Sequence, residues 1–270
     1  MPLTATFPLP LFRRALGDSW RSLAGWSAGF LAALLLYVPL YRSIGGNADM
    51  SELLDSLPPA LINALNYGAI ATGPGYVSAT FYGLMGFALI TIAATMWSSA
   101  AIAGDEEVGS LELTLAHGVT RTQVVLERAA AIAVRLLWLN VLSVLVILAL
   151  NDSAGLDIAP ANLVAQGAAL LGLALVTSMV GIAVGALTGR RVFATGAAAG
   201  VAVVGYALNA VANQSADLDG LHAWSPYAWA FGNSPLVNGA DWGGLGLLYG
   251  VAVALLVVGV IALNRRDVTG

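Results

Sequence analysis

Four carboxylates are concentrated in one short segment, residues 104–121, as Asp105, Glu106, Glu107 and Glu112. The segment lies between two long apolar runs that carry almost no charge. Clustered acids can dock on a basic protein surface, because complementary charge steers partners together and fixes their register. The segment is therefore a candidate docking point for a partner protein, and an ordinary solvated loop helix is the alternative.

A second group of residues, Asp219, His222 and Ser225, has the residue types of a hydrolytic triad. Triads are defined by geometry rather than by sequence proximity, and the surrounding loop has no oxyanion or phosphate motif, so hydrolysis is not favoured. His117 and His222 are predicted on opposite sides of a membrane and cannot share a metal ion. We expect no catalytic residue, no metal and no cofactor bound by this chain.

The composition is that of a membrane protein. Hydrophobic residues make up 59% of the 270 residues and charged residues 10%, and the mean hydropathy is +0.82. A soluble domain of this size needs more polar surface. Cysteine is absent, which excludes disulfides and thiolate metal sites. Lysine is absent too, which excludes a phosphate-binding P-loop and a Schiff-base enzyme.

Six runs are long and apolar enough to cross a membrane, since a spanning helix needs about 20 such residues. They predict an all-α, polytopic protein with a single transmembrane domain over residues 1–270. The predicted spans are residues 23–41, 76–103, 129–150, 161–187, 192–211 and 243–263. The longer ones indicate tilt or packing against neighbouring helices.

The distribution of arginine predicts the orientation. With the N-terminus inside, ten of the eleven arginines fall on the cytoplasmic side and only Arg42 falls outside. This is the positive-inside bias of membrane proteins. The predicted external loops are acidic instead. Both termini are therefore expected in the cytoplasm.

Residues 8–22 predict a helix that lies in the membrane interface. Apolar residues occupy one helical face and charged residues the other, which is typical of interfacial amphipathic helices. The residues that carry this pattern are Leu11, Phe12, Arg13, Arg14, Leu16, Trp20 and Arg21. The alternative is a simple basic flank to the first span.

Two predicted external segments carry further signals. Residues 50–65 have an apolar stripe that Pro58 and Pro59 interrupt, which predicts two short helices on the outer leaflet. Residues 215–242 are rich in Trp, Tyr and Pro, and aromatic rings favour the headgroup level. We predict an interfacial or shallow re-entrant element there.

Glycine recurs at four-residue spacing in the predicted spans. This spacing lets helix backbones approach closely in lipid, so we expect part of these pairs to form helix contacts, within the chain or between chains. The pairs are Gly25/Gly29, Gly181/Gly185, Gly196/Gly200 and Gly246/Gly250.

Residues 105–119 predict one short amphipathic helix parallel to the membrane. Its acids lie at its start, where the helix dipole favours negative charge. Gly118 predicts its end, and Thr120 is the predicted N-cap of the helix that enters the third span. The apolar face recurs at spacings of three and four and comprises Val108, Leu111, Leu115 and Val119.

The sequence "DEEVGSLELTLAHGVTRTQVVLER", residues 105–128, resembles the cytoplasmic segment of the ABC-2 type permease family, the membrane subunits of bacterial ABC exporters. "NRRDV" at the end of the chain and "WSPYAW" before the last span resemble further family motifs. His117 and Gly118 depart from the pattern, where many relatives have proline. The matching positions in the first segment are Glu107, Gly109, Ser110, Leu111, Glu112, Leu115, Thr120 and Arg121.

The resemblance implies the permease subunit of an ATP-driven exporter in the bacterial cytoplasmic membrane. Its substrate would be amphipathic or hydrophobic: a drug, an antibiotic or a lipid-like molecule. The chain would pair with a second permease chain, identical or similar, and with two cytoplasmic ABC ATPase subunits that bind ATP and Mg. No nucleic acid is implied. The residues implied in ATPase coupling are Asp105, Glu106, Glu107, Val108, Leu111, Glu112, Leu115, Thr120 and Arg121.

Alternatives to export stay open. Some membrane partners of ABC ATPases transmit force or signal without moving a substrate. An ion-coupled secondary transporter is less favoured, because it usually needs an ionisable residue deep in a span and no predicted span has a carboxylate or histidine near its middle. Arg135 is the deepest charge; it snorkels to the interface, or it contacts a substrate or a lipid headgroup.

Polar residues inside the predicted spans are candidates for the substrate path. Hydrogen bonding between helices is the commoner role of such residues in a membrane. The candidates are Asn140, Ser143, Thr177, Ser178, Tyr206 and Asn209.

Overall fold

The structure, a computed structural model, describes residues 9–44 and 69–266 together with Ser56, Pro58 and Ile62. The other residues of the predicted stripe over 50–65 lie outside the described residues, as do the last two residues of "NRRDV". Within the described ranges no strand is present, and six helices are long and apolar enough to cross a membrane. The prediction of an all-α protein with six spans is confirmed.

Eleven α-helical elements are distinguished in the described ranges, and one of them, α4, contains two π-helical segments. They are α1 (Pro10–Asp18), α2 (Trp20–Tyr37), α3 (Tyr41–Ile44), α4 (Gly73–Glu107), α5 (Ser110–Ala116), α6 (Arg121–Ala154), α7 (Pro160–Thr188), α8 (Arg191–Ala212), α9 (Pro226–Phe231), α10 (Pro235–Asn238) and α11 (Trp242–Arg265). A 3-10 helix, Ala216–Trp224, separates α8 from α9.

The six spans are α2 continued to Ser43, α4, α6, α7, α8 and α11. Several extend past the apolar runs predicted from sequence. The 34 residues of α6 correspond to about 51 Å at 1.5 Å per residue, whereas the hydrocarbon core is about 30 Å thick. The helix therefore continues beyond the membrane, and its first turns lie at the end of the bundle that also carries α5.

The fourth span, α7, lies at the centre of the bundle and packs against α4, α6, α8 and α11. Small residues allow this close packing. A methyl group added at Gly181 would overlap the Ser98 side chain of α4, and one added at Gly259 of α11 would lie 3.3 Å from Ile182. Because lipid supplies no hydrophobic driving force between helices, such packing is what holds the spans together.

The glycine pairs predicted to pack fall into two classes. Gly181 and Gly185 of α7 do face neighbouring helices, as predicted, and a Cβ at Gly185 would lie 3.4 Å from Ala103. At the other glycines a Cβ would meet no described atom within 4 Å, so they make no close helix contact within the described chain, and the alternative of contacts between chains stays a prediction. These are Gly25, Gly29, Gly196, Gly200, Gly246 and Gly250.

The N-terminal helix is shorter than the predicted 8–22. α1 ends at Asp18, and Trp20 and Arg21 begin α2, so these two residues belong to the first span. The amphipathic pattern of α1 is present in the structure, and α1 packs on α6. Its half-buried residues include Leu11, Phe12 and Leu16, and its exposed residues include Arg13 and Arg14.

Two segments of α4 are π-helical, Ser78–Met85 and Ala100–Gly104. A carbonyl in each segment accepts a hydrogen bond from another element: the Tyr227 hydroxyl donates to Gly83 O at 2.9 Å, and the Arg128 guanidinium donates to Ala101 O. Tyr227 lies in α9, which packs among α7, α8 and α11. The aromatic segment before the last span thus enters the bundle at the end opposite α5.

Candidate functional site

The acidic segment does not form the single helix predicted over residues 105–119. The second span continues through Asp105 and ends at Glu107, Gly109 then takes φ 71°, and α5 begins at Ser110. Glycine permits this left-handed turn without steric cost. The first three acids therefore lie at the C-terminal end of α4, where the helix dipole disfavours negative charge and where cations or N–H donors from other elements stabilise carboxylates.

Two of these acids bind neighbouring spans. The Asp105 carboxylate lies 2.6 Å from the Arg128 guanidinium of α6. The Glu107 carboxylate accepts a hydrogen bond of 2.8 Å from the backbone N–H of Arg191, the first residue of α8. These contacts join the end of the second span to the third and fifth spans.

The third acid, Glu106, is buried and pairs with Arg266, which follows α11. The Arg266 guanidinium also donates to Ala186 O in the last turn of α7 at 3.0 Å. The Arg121 guanidinium donates to the Arg266 carbonyl at 2.5 Å. One network therefore joins the ends of α4, α7 and α11 to the start of α6. Glu106 and Arg121 bind within the chain and do not form the outward coupling surface that the sequence predicted.

The two faces of α5 differ from the prediction as well. Leu111 is fully buried in the core and Leu115 is half-buried against it, so these two residues of the predicted apolar docking face point into this chain, whereas Val108 of the same predicted face is exposed. The opposite side of α5, together with exposed residues that flank the helix, is what we call the outer face of α5. It comprises Val108, Glu112, Leu113 and His117, and the side chains of Val108 and Leu113 are 76% and 66% exposed.

The turn between α5 and α6 has the predicted glycine and the predicted helix N-cap. Gly118 has φ 81° and ends the segment that follows α5. The Thr120 hydroxyl then accepts a hydrogen bond of 3.1 Å from the Gln123 N–H, which confirms Thr120 as the N-cap of α6. This cap sets the start of the third span at Arg121, a few residues after the end of α5.

Glu127, which was not predicted from the sequence as a functional residue, is buried in α6. Its carboxylate accepts hydrogen bonds from the Phe12 N–H at 2.8 Å and from the Gln123 amide at 2.6 Å. Phe12 is in the first turn of α1, where backbone N–H groups lack partners in their own helix, and α1 has no side-chain cap of its own. The sequence signal that could have indicated this role is a carboxylate, Glu127, just before an apolar run, with Gln123 four residues earlier on the same helical face.

The residues proposed for a substrate path do not share one cavity. The hydroxyl groups of Ser143, Thr177 and Ser178 are buried and donate to carbonyls of their own helices, at 2.8 to 3.0 Å. Tyr206 stacks on Phe87 with ring centres 6.0 Å apart. These four residues are thus part of the packing inside the chain.

The two asparagines among the proposed path residues, Asn140 and Asn209, have surroundings different from those of the other four residues. Asn209 lines a hollow of about 540 Å³ at the end opposite α5, together with Asn213 and His222. Asn140 is buried in α6; its amide donates to Leu136 O at 2.9 Å, and its side-chain oxygen has no partner among the described residues. Asn209 is therefore the proposed path residue that faces an open space.

The hydrolytic arrangement is not formed. The two ring nitrogens of His222 lie 2.9 Å from Asp219 Oδ1 and 2.9 Å from Asn213 Oδ1. The Ser225 hydroxyl is buried, donates to Gly205 O at 2.6 Å and caps α9. Both groups are occupied by structural hydrogen bonds. No cluster of potential metal ligands is present in the described part of the chain.

The geometry agrees with what the sequence comparisons show. A family model described as ABC-2 family transporter protein matches residues 9–268, a range that includes all six spans and the acidic segment. No curated protein matches the chain.

Proposed function

The chain belongs to the ABC-2 family of transporter proteins, and from that premise we propose that it is the permease of an ATP-driven exporter. As a family member it is a membrane subunit of an ABC transporter and associates with an ABC ATPase. The proposed cargo is an amphipathic or hydrophobic molecule, such as a drug, an antibiotic or a lipid-like compound. It would move outward across the bacterial cytoplasmic membrane, and the partner would bind ATP and Mg.

The observation that carries the proposal is the outer face of α5. Val108 and Leu113 are large apolar side chains exposed at a polar end of the bundle, beside the exposed carboxylate of Glu112. Exposed apolar groups rimmed by charge are typical of protein-docking surfaces. The ATPase would bury Val108 and Leu113 and place basic residues near Glu112.

The contacts that the acidic segment and α5 make within the chain would transmit movement of α5 to the spans. Leu111 anchors α5 in the core, and the three acids before it join the end of α4 to α6, α8 and α11. A displacement of α5 would therefore move the ends of several spans together, as in rigid-body transmission between packed helices.

We place α5 and both termini in the cytoplasm, following the arginine distribution. The one arginine predicted outside, Arg42, donates to Ser153 O at 3.1 Å in the last turn of α6. Helix C-termini favour positive charge. This local role accounts for an arginine on the side that otherwise lacks them, so the exception does not weaken the orientation.

A second permease chain, identical or similar, would pack on faces that this chain leaves open. Gly196 and Gly200 of α8 and Gly25 and Gly29 of α2 have space above them in the described structure. In lipid, small residues at this spacing support close helix contacts. The outward glycines of α2 and α8 are thus suited to the dimer interface.

The test uses the natural absence of cysteine. A Leu113→Cys variant is co-expressed with the ATPase partner, and maleimide labelling is measured with and without that partner. We expect the partner to protect Cys at 113, and not a control Cys introduced for Trp224, which is exposed at the opposite end. Equal labelling of Leu113→Cys in both states contradicts the docking proposal.

Transport is tested separately in inverted vesicles that contain both subunits. ATP-dependent accumulation of a fluorescent amphiphile is the expected result. ATP hydrolysis that depends on the permease, without accumulation across a panel of amphiphiles, would favour transmission of force or signal.

A further inference from the structure

Arg135 is a cation inside the third span that forms no ion pair with any described carboxylate. The residue is 7% exposed. Its Nε donates to Ala131 O at 3.1 Å, and its guanidinium carbon lies 4.7 Å from the ring centre of Trp97. A charge at membrane depth is costly unless a partner neutralises it, and such residues mark ligand or ion sites.

The side chain reaches one particular leaflet. Arg135 lies six residues beyond Ala129, where the apolar run of α6 begins, which is about 9 Å along the helix. The bond from Nε to Ala131 O directs the guanidinium back toward the start of α6. The charge therefore points toward the α5 end of the third span, from where a long arginine side chain reaches the headgroups of that leaflet.

A cavity of about 280 Å³ opens beside this guanidinium. It lies between the α1–α2 junction and the adjoining turns of α4 and α6. Its lining includes Ser19, Trp97, Ala100, Arg128 and Arg135. The volume is below the roughly 300–1,000 Å³ of pockets that enclose a drug-sized ligand. It is suited to a headgroup whose chains remain outside.

Among the charged residues described around the cavity, Arg135 is the one that forms no ion pair. Two carboxylates, Asp18 and Asp105, also line the cavity. Asp105 pairs with Arg128 at 2.6 Å, and Asp18 lies 3.5 Å from Arg14. Arg135 is therefore the charged lining residue with no oppositely charged partner in an ion pair within the described chain, and an anion beside it would supply one.

We propose that this cavity binds the anionic headgroup of an amphiphile drawn from the adjacent leaflet. A phosphate or carboxylate accepts hydrogen bonds from the Nη groups of Arg135, whose planar fork matches both anions. The hydrocarbon chains lie along α6 past Trp138, which is on the same helical face and 52% exposed. The inference concerns the permease alone and does not depend on the proposed ATPase coupling.

The experiment uses the purified full-length chain in detergent, with native mass spectrometry and thermal unfolding as readouts. Three probes are compared: dioctanoyl phosphatidic acid, dioctanoylglycerol and inorganic phosphate. We expect only the phosphatidic acid to bind and to raise Tm. Arg135→Gln is expected to weaken that binding at least about tenfold, the loss of one charge-assisted contact, and Arg135→Lys to weaken it less.

Two further variants control the result. Arg21→Gln removes an exposed arginine 5.5 Å from the ring of Trp20 and should bind like the wild type. Ala100→Leu fills the cavity without changing charge and should abolish binding even if Arg135→Gln fails to fold. Wild-type affinity in both Arg135→Gln and Ala100→Leu overturns the site. Equal binding of dioctanoylglycerol overturns the anionic class, and equal binding of inorganic phosphate overturns the amphiphile.

Discussion

The Arg266 guanidinium and the Glu106 carboxylate join the end of the last span to the end of the second, across 160 positions of sequence. Glu106 is buried whereas the Arg266 side chain is 25% exposed, so the pair lies at the end of the bundle with its carboxylate shielded from solvent. Arg266 also binds the end of α7 through Ala186 O. The last residues of the described chain are thus part of the structure that supports the acidic segment.

Replacing Arg266 by glutamine is expected to lower the free energy of unfolding by about 2–3 kcal/mol, because the buried Glu106 carboxylate loses its charged partner. Thermal unfolding in detergent measures the change. The matched control is Arg265→Gln, at the exposed neighbouring position. An equal effect of the two variants contradicts the assigned role, and adding Glu106→Gln to Arg266→Gln should recover part of the loss.

Changing the outer face of α5 should affect ATPase binding without affecting the fold. The double variant Glu112→Arg, Leu113→Glu is expected to lose co-purification of the ATPase and to keep the wild-type Tm. Leu111→Ala, on the inner face, should lower the free energy of unfolding by about 2–4 kcal/mol through a core cavity. If the double variant still retains the ATPase, the docking surface lies elsewhere.

The two classes of glycine predict opposite outcomes for one substitution. Gly181→Leu should prevent folding, since even a methyl group there overlaps Ser98 of α4. Gly200→Leu has open space within the chain and should fold, but it should weaken the association of two permease chains. Size-exclusion chromatography with light scattering separates these results. A stable dimer of Gly200→Leu excludes this part of α8 from the interface.

We expect the hydrogen bond from Tyr227 to stabilise the π-helical segment of α4 that accepts it. Tyr227→Phe is expected to cost about 1 kcal/mol of stability and to accelerate amide exchange over residues 78–86. Tyr249→Phe is the control, because it removes a similar bond of 3.0 Å, to Ala168 O in a regular helix. Hydrogen exchange followed by mass spectrometry distinguishes them: identical patterns would mean that the π segment does not depend on Tyr227.

Local signals in the sequence were sufficient for part of this structure. Apolar runs of sufficient length identified the six spans, because the membrane imposes that length on any helix that crosses it. The Thr120 cap was predictable too, since a cap involves residues only three positions apart.

The partners of the acids were not predictable in the same way. Asp105 binds Arg128 and Glu106 binds Arg266, and no local rule selects one arginine from eleven. The faces of α5 show a related limit. Leu111 and Leu113 are identical in type, and only the packed structure shows that the first is buried in the core and the second is exposed.

Asp105, Glu106 and Glu107 are consecutive on one helical turn, so their side chains diverge by about 100° from one to the next. Each is bound to a different neighbour: the third span, the residue after the sixth and the start of the fifth. Because three contacts bind this end of α4 on different sides, the helix can tilt together with its neighbours. It cannot rotate about its own axis without breaking all three contacts.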